Sequence, residues 1–272
     1  MQKASRAGGL LRFGVPSARR LRTCGYIWCI VPIDLKSKCE VSSAGATIDH
    51  AEKRLRWFEL SLVLLICFAG PIVSSVDILI RGRGAVSPVL GAGWTNSILH
   101  EVAGLLLIGY VLGRRRIGIA ALGLRWSFRD LGAGAALAIA AYLAYAAGPY
   151  LIHLPGGGMN SQSHSGDLAR KIFGHPSVVA ILYSLLNPFY EELIVRAYLM
   201  TEVKALTGSW VLSAALSVLI QFSYHLYYGW DGAMALSFLF LVFSIYYART
   251  QKAIPIIIAH GVFDIWGLIR LW

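Results

Sequence analysis

The segment WFELSLVLLICFAGPIVSSVDILI, residues 57–80, is apolar over a length that decides the fold. A helix needs about 20 mostly apolar residues to cross the hydrocarbon core of a bilayer. Asp77 lies near the end of the segment, close to the expected headgroup region. We therefore predict that residues 57–80 form a transmembrane α-helix.

Six further apolar segments indicate that this first one belongs to a bundle. Hydrophobic residues make up 57% of the 272-residue chain and charged residues 14%, whereas soluble domains carry about 25% charge. The predicted fold class is all-α, a polytopic transmembrane helix bundle of about seven spans, with six to eight as the range that the length allows. The additional spans are predicted at 96–113, 130–152, 176–201, 208–228, 232–248 and 253–271.

The N-terminal residues 1–56 differ from the predicted membrane domain at 57–272. No acidic residue occurs before residue 33, while six Lys or Arg do. A basic segment that is poor in acids is typical of an organelle targeting peptide, and a disordered cytoplasmic tail or an over-extended start are alternatives. We place no chemistry in this tail. The four cysteines show no CxxC pair or zinc-type spacing and are expected to be ordinary thiols.

The distribution of basic residues predicts the orientation of the chain. Eleven Lys or Arg precede Trp57, and further basic residues follow the second and sixth predicted spans. These regions lie on one side of the membrane if there are seven spans, and basic loops favour the cytoplasm. The prediction is a cytoplasmic N-terminus and an external C-terminus. The net charge of +11 is therefore attributed to loops and anionic lipid, and no nucleic-acid partner is expected.

Ionisable residues inside the spans mark where chemistry is expected, because each costs roughly 2.5–3.5 kcal/mol to insert. Asp77, His100 and Glu101 lie near predicted span ends, where water could hydrate them. Six others lie deeper in the last spans, and these are the candidate catalytic residues: Glu191, Glu192, Arg196, His225, His260 and Asp264.

The glutamate pair offers two carboxylates with different surroundings. Glu192 and Arg196 are four residues apart and share a helix face, so Arg196 keeps Glu192 ionised. Glu191 points about 100° away and is suited to take a proton from water as a general base. Asn187-Pro188 just upstream removes a helix hydrogen bond and could open a wet cavity beside the pair. A buried salt bridge that ties helices together is the alternative, but it leaves Glu191 without a partner.

Two later helices contribute imidazole groups. His225 ends an aromatic-rich segment, and a lone histidine there is commonly an interface residue. His260 and Asp264 are spaced four apart, so the carboxylate can orient the imidazole. Carboxylates and imidazoles that converge inside a bundle make either a metal site or a water-activating site.

The order of the three motifs resembles the CPBP intramembrane proteases, the family of CAAX endopeptidases and bacteriocin-processing, Abi-type proteins. The motifs are Glu191-Glu192-x-x-x-Arg196, then His225, then His260-x-x-x-Asp264, within about residues 175–270. The resemblance implies that Glu191 and His225 activate a water, that Glu192 pairs with Arg196, and that the last motif steadies the oxyanion.

Two positions depart from the family pattern. The middle motif commonly reads FxxxH, but here Gln221 stands four residues before His225 and Phe222 is shifted by one. Asp264 stands where CAAX endopeptidases often have asparagine. An ionised aspartate repels an oxyanion, so Asp264 could orient His260, be protonated or bind a metal.

No cofactor is certain, but zinc is one that the family resemblance leaves open, since members are often called metalloproteases. A histidine and carboxylate set also suits zinc. Its candidate ligands are Glu191, His225, His260 and Asp264.

The sequence thus predicts a CAAX-protease-like intramembrane endopeptidase with glutamate-activated water. A non-enzymatic immunity or peptide-binding protein that uses the same cavity is the alternative. A proton-coupled transporter is disfavoured, because no internal repeat is seen. The expected partners are a membrane-associated protein or peptide substrate and the lipid bilayer. The expected location is multi-pass in a bacterial cell membrane.

Overall fold

The computed structural model describes residues 49–81, 92–152 and 177–269. Most of the predicted tail at 1–56 lies outside these residues. Within the described ranges the chain is helical and contains no strand. The seven helices are α1 His50–Arg81, α2 Ala92–Arg114, α3 Arg129–Ile152, α4 Val178–Thr207, α5 Trp210–Tyr224, α6 Trp230–Thr250 and α7 Ile254–Ile269. Short 3₁₀ turns occur at Ile119–Leu122 and Leu226–Tyr228.

Five of these helices, α1, α2, α3, α4 and α6, are long and apolar enough to cross a membrane. Helices α5 and α7 are apolar but shorter, with 15 and 16 residues. Large apolar side chains such as Leu65, Leu106 and Ile139 are exposed on the outside of the bundle, as expected where lipid rather than water is the solvent. The prediction of an all-α membrane bundle is confirmed.

Helix α1 contains a proline that leaves a backbone acceptor for other helices. Pro71 has no N–H, so the carbonyl of Cys67, four residues earlier, lacks its helical partner. The hydroxyl of Tyr190 donates to that carbonyl oxygen at 2.8 Å, and Nε2 of His100 lies 2.9 Å from it. This one carbonyl therefore joins α1, α2 and α4.

Helix α4 changes its winding in the middle. Ser177 caps its start by accepting the N–H of Ala180 at 3.2 Å, and its end is set by Gly208, whose φ of +77° favours glycine. The helix is α-helical over Val178–Glu191, becomes a π-helix over Glu192–Tyr198 and returns to α at Leu199–Thr207. π-turns inside α-helices are frequent at functional sites.

Helix α3 packs closely on α6 and α7 because glycines form part of its contact face. A Cβ at Gly134 would lie 2.7 Å from Cγ2 of Ile258, and a Cβ at Gly148 would lie 2.1 Å from Cδ2 of Phe238. Both distances are shorter than a carbon–carbon contact allows. These two positions therefore require glycine for the helices to approach as they do.

An ionic network ties together one end of the bundle. Arg115 binds Glu59 of α1 and reaches Glu202 of α4 at 2.8 Å, while Arg56 binds Glu202 at 2.9 Å. Arg114 also binds Glu59. The start of α1 and the ends of α2 and α4 therefore lie at the same end, as the predicted alternation of spans requires.

Candidate active site

Glu191 lies at the last α-helical position of α4 before the π-turn, with 8% of its surface exposed. One carboxylate oxygen, Oε2, accepts a hydrogen bond from the hydroxyl of Tyr224 at 2.6 Å and one from the amide of Gln221 at 3.3 Å. Both donors come from α5 and neither is charged. Among the described residues, Glu191 is thus oriented by dipoles and forms no salt bridge with an arginine or lysine.

Glu192 has the opposite environment and is fully buried. Its Oε2 lies 3.3 Å from Nε of Arg196, and its Oε1 lies 2.6 Å from Nδ1 of His260. The guanidinium of Arg196 also stacks 5.1 Å above the ring of Phe240. The carboxylate therefore joins α4 to α7 and neutralises a cation that has no access to solvent.

His260 is surrounded by three carboxylates. Its Nδ1 is engaged by Glu192, so its Nε2 is the nitrogen that faces Asp264 at 3.5 Å and Glu191 at 3.9 Å. Asp264 is fixed in turn, because the amide of Asn187 donates to its Oδ2 at 3.0 Å. The His260–Asp264 pair predicted from the spacing thus meets Glu191 and Glu192 across two helices.

His225 lies in the turn that follows α5, and its Nδ1 is 2.8 Å from the carbonyl oxygen of Gln221. A carbonyl only accepts, so Nδ1 carries the proton and Nε2 keeps a lone pair. In the neutral imidazole, Nε2 can therefore accept a hydrogen bond from water.

Two cavities meet at this site. The larger, of about 450 Å³, is lined by Glu191, Tyr224 and His225 together with residues of α1 and α2. The smaller, of about 220 Å³, is lined by His260 and Asp264 and has a largely apolar and aromatic wall. His225, Tyr183 and Tyr227 line both. At least one candidate residue of each of the three motifs thus lines one of these two adjacent cavities, while Glu192 and Arg196 line neither.

Four residues of this site were not identified in these roles by the sequence reasoning. Gln221 and Tyr224 hold Glu191, and Asn187, noted only as a helix breaker, holds Asp264. The expectation that water could hydrate Glu101 at a span end is wrong, because it lies near the middle of α2 with 3% of its surface exposed. For all four residues, the only signal in the sequence was a polar side chain within an otherwise apolar segment.

The side chains do not form a metal-binding arrangement as they stand. Across residues 49–81, 92–152 and 177–269, no three or more His, Cys, Asp or Glu side chains are grouped so that they could hold a metal ion. Nδ1 of His225 and Nδ1 of His260 are both engaged by protein oxygens. We therefore assign no chemical step to zinc.

The comparison with known families agrees with the motifs. Residues 173–266, about a third of the chain, match the family model described as type II CAAX prenyl endopeptidase Rce1-like. No curated protein and no solved structure matches the chain significantly. The matched segment contains α4 to α7 up to Trp266, and with them every residue of the three motifs. The predicted resemblance to the CPBP and CAAX protease family is confirmed.

Proposed function

We propose, from the match of residues 173–266 to the CAAX prenyl endopeptidase family model, that this membrane protein hydrolyses a peptide bond of a membrane-associated protein or peptide with a water activated by Glu191. The family match implies protease activity in general. The observation that supports the specific role is the environment of Glu191, an oriented carboxylate that faces a cavity and, among the described residues, accepts hydrogen bonds from the uncharged groups of Tyr224 and Gln221.

The proposed first step is proton transfer from water to Glu191. The water lies between Glu191 and Nε2 of His225, which accepts its second hydrogen bond. As the proton moves to Glu191, the water oxygen attacks the carbonyl carbon of the scissile bond. The carbonyl electron pair moves to oxygen and forms a tetrahedral oxyanion.

The proposed second step is collapse of this intermediate. His260 carries its Nε2 proton toward the cavity and stabilises the oxyanion, which is the electrostatic role that usually contributes most. Asp264, held by Asn187, faces the imidazole and keeps it protonated and oriented. The C–N bond then breaks, and Glu191 returns the proton to the leaving amine.

The test is cleavage of a membrane peptide by reconstituted protein carrying Glu191→Gln or His225→Gln. Loss of a general base costs about 10²–10⁴ in rate, so Glu191→Gln should lose at least a hundredfold. Asp77→Asn is the matched control, because Asp77 is half exposed and pairs with Arg81 outside the site. Full activity of both site variants would refute the mechanism, and rescue of a cellular phenotype by Glu191→Gln would favour a binding protein.

The sidedness of the chain is a second part of the proposal. The N-terminus is assigned to the cytoplasm of a bacterial cell, because the basic residues gather at the end of the bundle that holds the start of α1. Fusions of a cytoplasm-specific fluorescent reporter to either terminus test this. Fluorescence from the C-terminal fusion alone would refute the orientation.

A further inference from the structure

Glu101 is a buried carboxylate that the proposed mechanism does not use. It lies on α2, outside the segment that matches the protease family. Its surface is 3% exposed, and its Oε2 has no hydrogen-bond partner within residues 49–81, 92–152 and 177–269. A buried carboxyl oxygen without a partner is costly, so the side chain is arranged for something other than the stability of the free protein.

The wall of the cavity beside Glu101 includes two carboxylates and several small hydrogen-bonding side chains, which suit a cationic ligand. Glu101 and Glu191 both line this 450 Å³ space. The wall formed by α1 and α2 adds small hydrogen-bonding side chains, namely Ser74, Ser75, Asn96, Ser97 and His100, and its described lining includes no Lys or Arg. The neighbouring 220 Å³ cavity also has polar lining, namely His260 and Asp264, and its remaining wall includes Trp94, Leu236, Leu239, Phe240 and Phe263.

The cations that lie near the site are already engaged. Arg196 is bound to Glu192 and stacked on Phe240. His260 lies between Glu192 and Asp264. Within the described residues, Glu101 therefore has no counterion of its own, whereas a ligand that enters this cavity can supply one.

We propose that the larger cavity is a substrate subsite in which Glu101 binds a lysine or arginine side chain flanking the scissile bond. The smaller cavity then takes apolar residues on the other side of the bond. This inference rests on the proposed function and adds the substrate class: a peptide with a basic residue on one side of the cleaved bond and apolar residues on the other.

The test uses peptides that differ only at single positions flanking the cleaved bond, with Lys, Leu or Glu at each. A hydrogen bond to a charged group, by its usual strength, changes kcat/KM by about tenfold to a hundredfold. Wild-type protein should therefore prefer Lys over Leu by that factor at one position. Glu101→Gln should bring this ratio close to one, while Glu101→Asp keeps its direction and Asp77→Asn leaves it unchanged.

Binding measured in the Glu191→Gln background separates the two proposals, because the peptide is then not consumed. A peptide with Lys should have a lower dissociation constant than the same peptide with Leu, and this difference should disappear in Glu101→Gln. That result supports the subsite even if no cleavage occurs. Cleavage that shows no Lys preference, or a preference that persists in Glu101→Gln, overturns the subsite and leaves the protease proposal standing.

Discussion

Replacing Glu192 by glutamine should damage the fold rather than the chemistry. Glu192 is fully buried and bridges Arg196 of α4 to His260 of α7. Glutamine keeps the shape but removes the charge that neutralises a guanidinium with no access to solvent. Glu191→Gln, one residue earlier, is the matched comparison, because a glutamine oxygen can still accept from Tyr224.

The expected size follows from the burial of the pair. Breaking a buried ion pair by removing one partner costs about 3–5 kcal/mol. For a domain of roughly 150–250 residues, each kcal/mol shifts the unfolding temperature by about 2–4 °C. Glu192→Gln should therefore unfold about 6–20 °C lower than wild type, whereas Glu191→Gln should stay within about 2 °C by the same scale.

The assay is thermal unfolding of the purified protein in one detergent, followed by helix content, with cleavage measured well below both transitions. The expected pattern is a destabilised but active Glu192→Gln and a stable but inactive Glu191→Gln. A Glu192→Gln protein that unfolds like wild type and has lost cleavage would refute this division of roles. Equal destabilisation by both substitutions would refute it as well.

Three further outcomes are expected. Tyr224→Phe removes a 2.6 Å hydrogen bond to Glu191 and should lower kcat/KM about tenfold or more with little change in unfolding temperature; an unchanged kcat/KM would contradict the positioning role. Gly104→Ala puts a Cβ 2.5 Å from Cε2 of Tyr190 and should destabilise the folded protein by about 1–3 kcal/mol. The control Gly109→Ala, with no atom within 4 Å of its Cβ, should not. Equal unfolding temperatures of the two variants would contradict this packing. Dialysis against a strong chelator should leave cleavage unchanged, and one tightly bound zinc per chain whose removal abolishes cleavage would show that a metal is required.

The number and approximate position of the described helices could be predicted, because each lies within an apolar run of the sequence, although α5 and α7 are only 15 and 16 residues long. Boundaries were less accurate where burial depends on distant partners. The fourth span was predicted to end at 201, yet α4 continues to Thr207. Glu202, at the predicted boundary, is buried because Arg56 and Arg115 pair with it. Those arginines are more than 80 residues away in sequence, so local hydropathy could not reveal the pairing.

The charged members of the site could be predicted, but the uncharged residues that orient them could not. A glutamate or histidine within an apolar run stands out in the sequence, because inserting it into a membrane costs free energy. Gln221 gives a weaker signal, and its contact with Glu191 depends on how α5 is rotated against α4. The π-turn after Glu191 also changes which side chains of α4 share a face. Neither the rotation of α5 nor the effect of the π-turn can be predicted from the spacing of residues along the chain.

The hydrogen bonds of the Cys67 carbonyl indicate how much of this protein is needed for function. Tyr190, which precedes Glu191 directly, is fixed to that carbonyl of α1 and lies 3.2 Å from Nε2 of His100 on α2. The segment that carries the family motifs thus takes its register from helices that the family model does not include. Transplanting residues 173–266 into another scaffold would carry over every motif but leave the glutamate without its alignment. The motif-bearing segment therefore depends on α1 around Pro71 and is not a separable module.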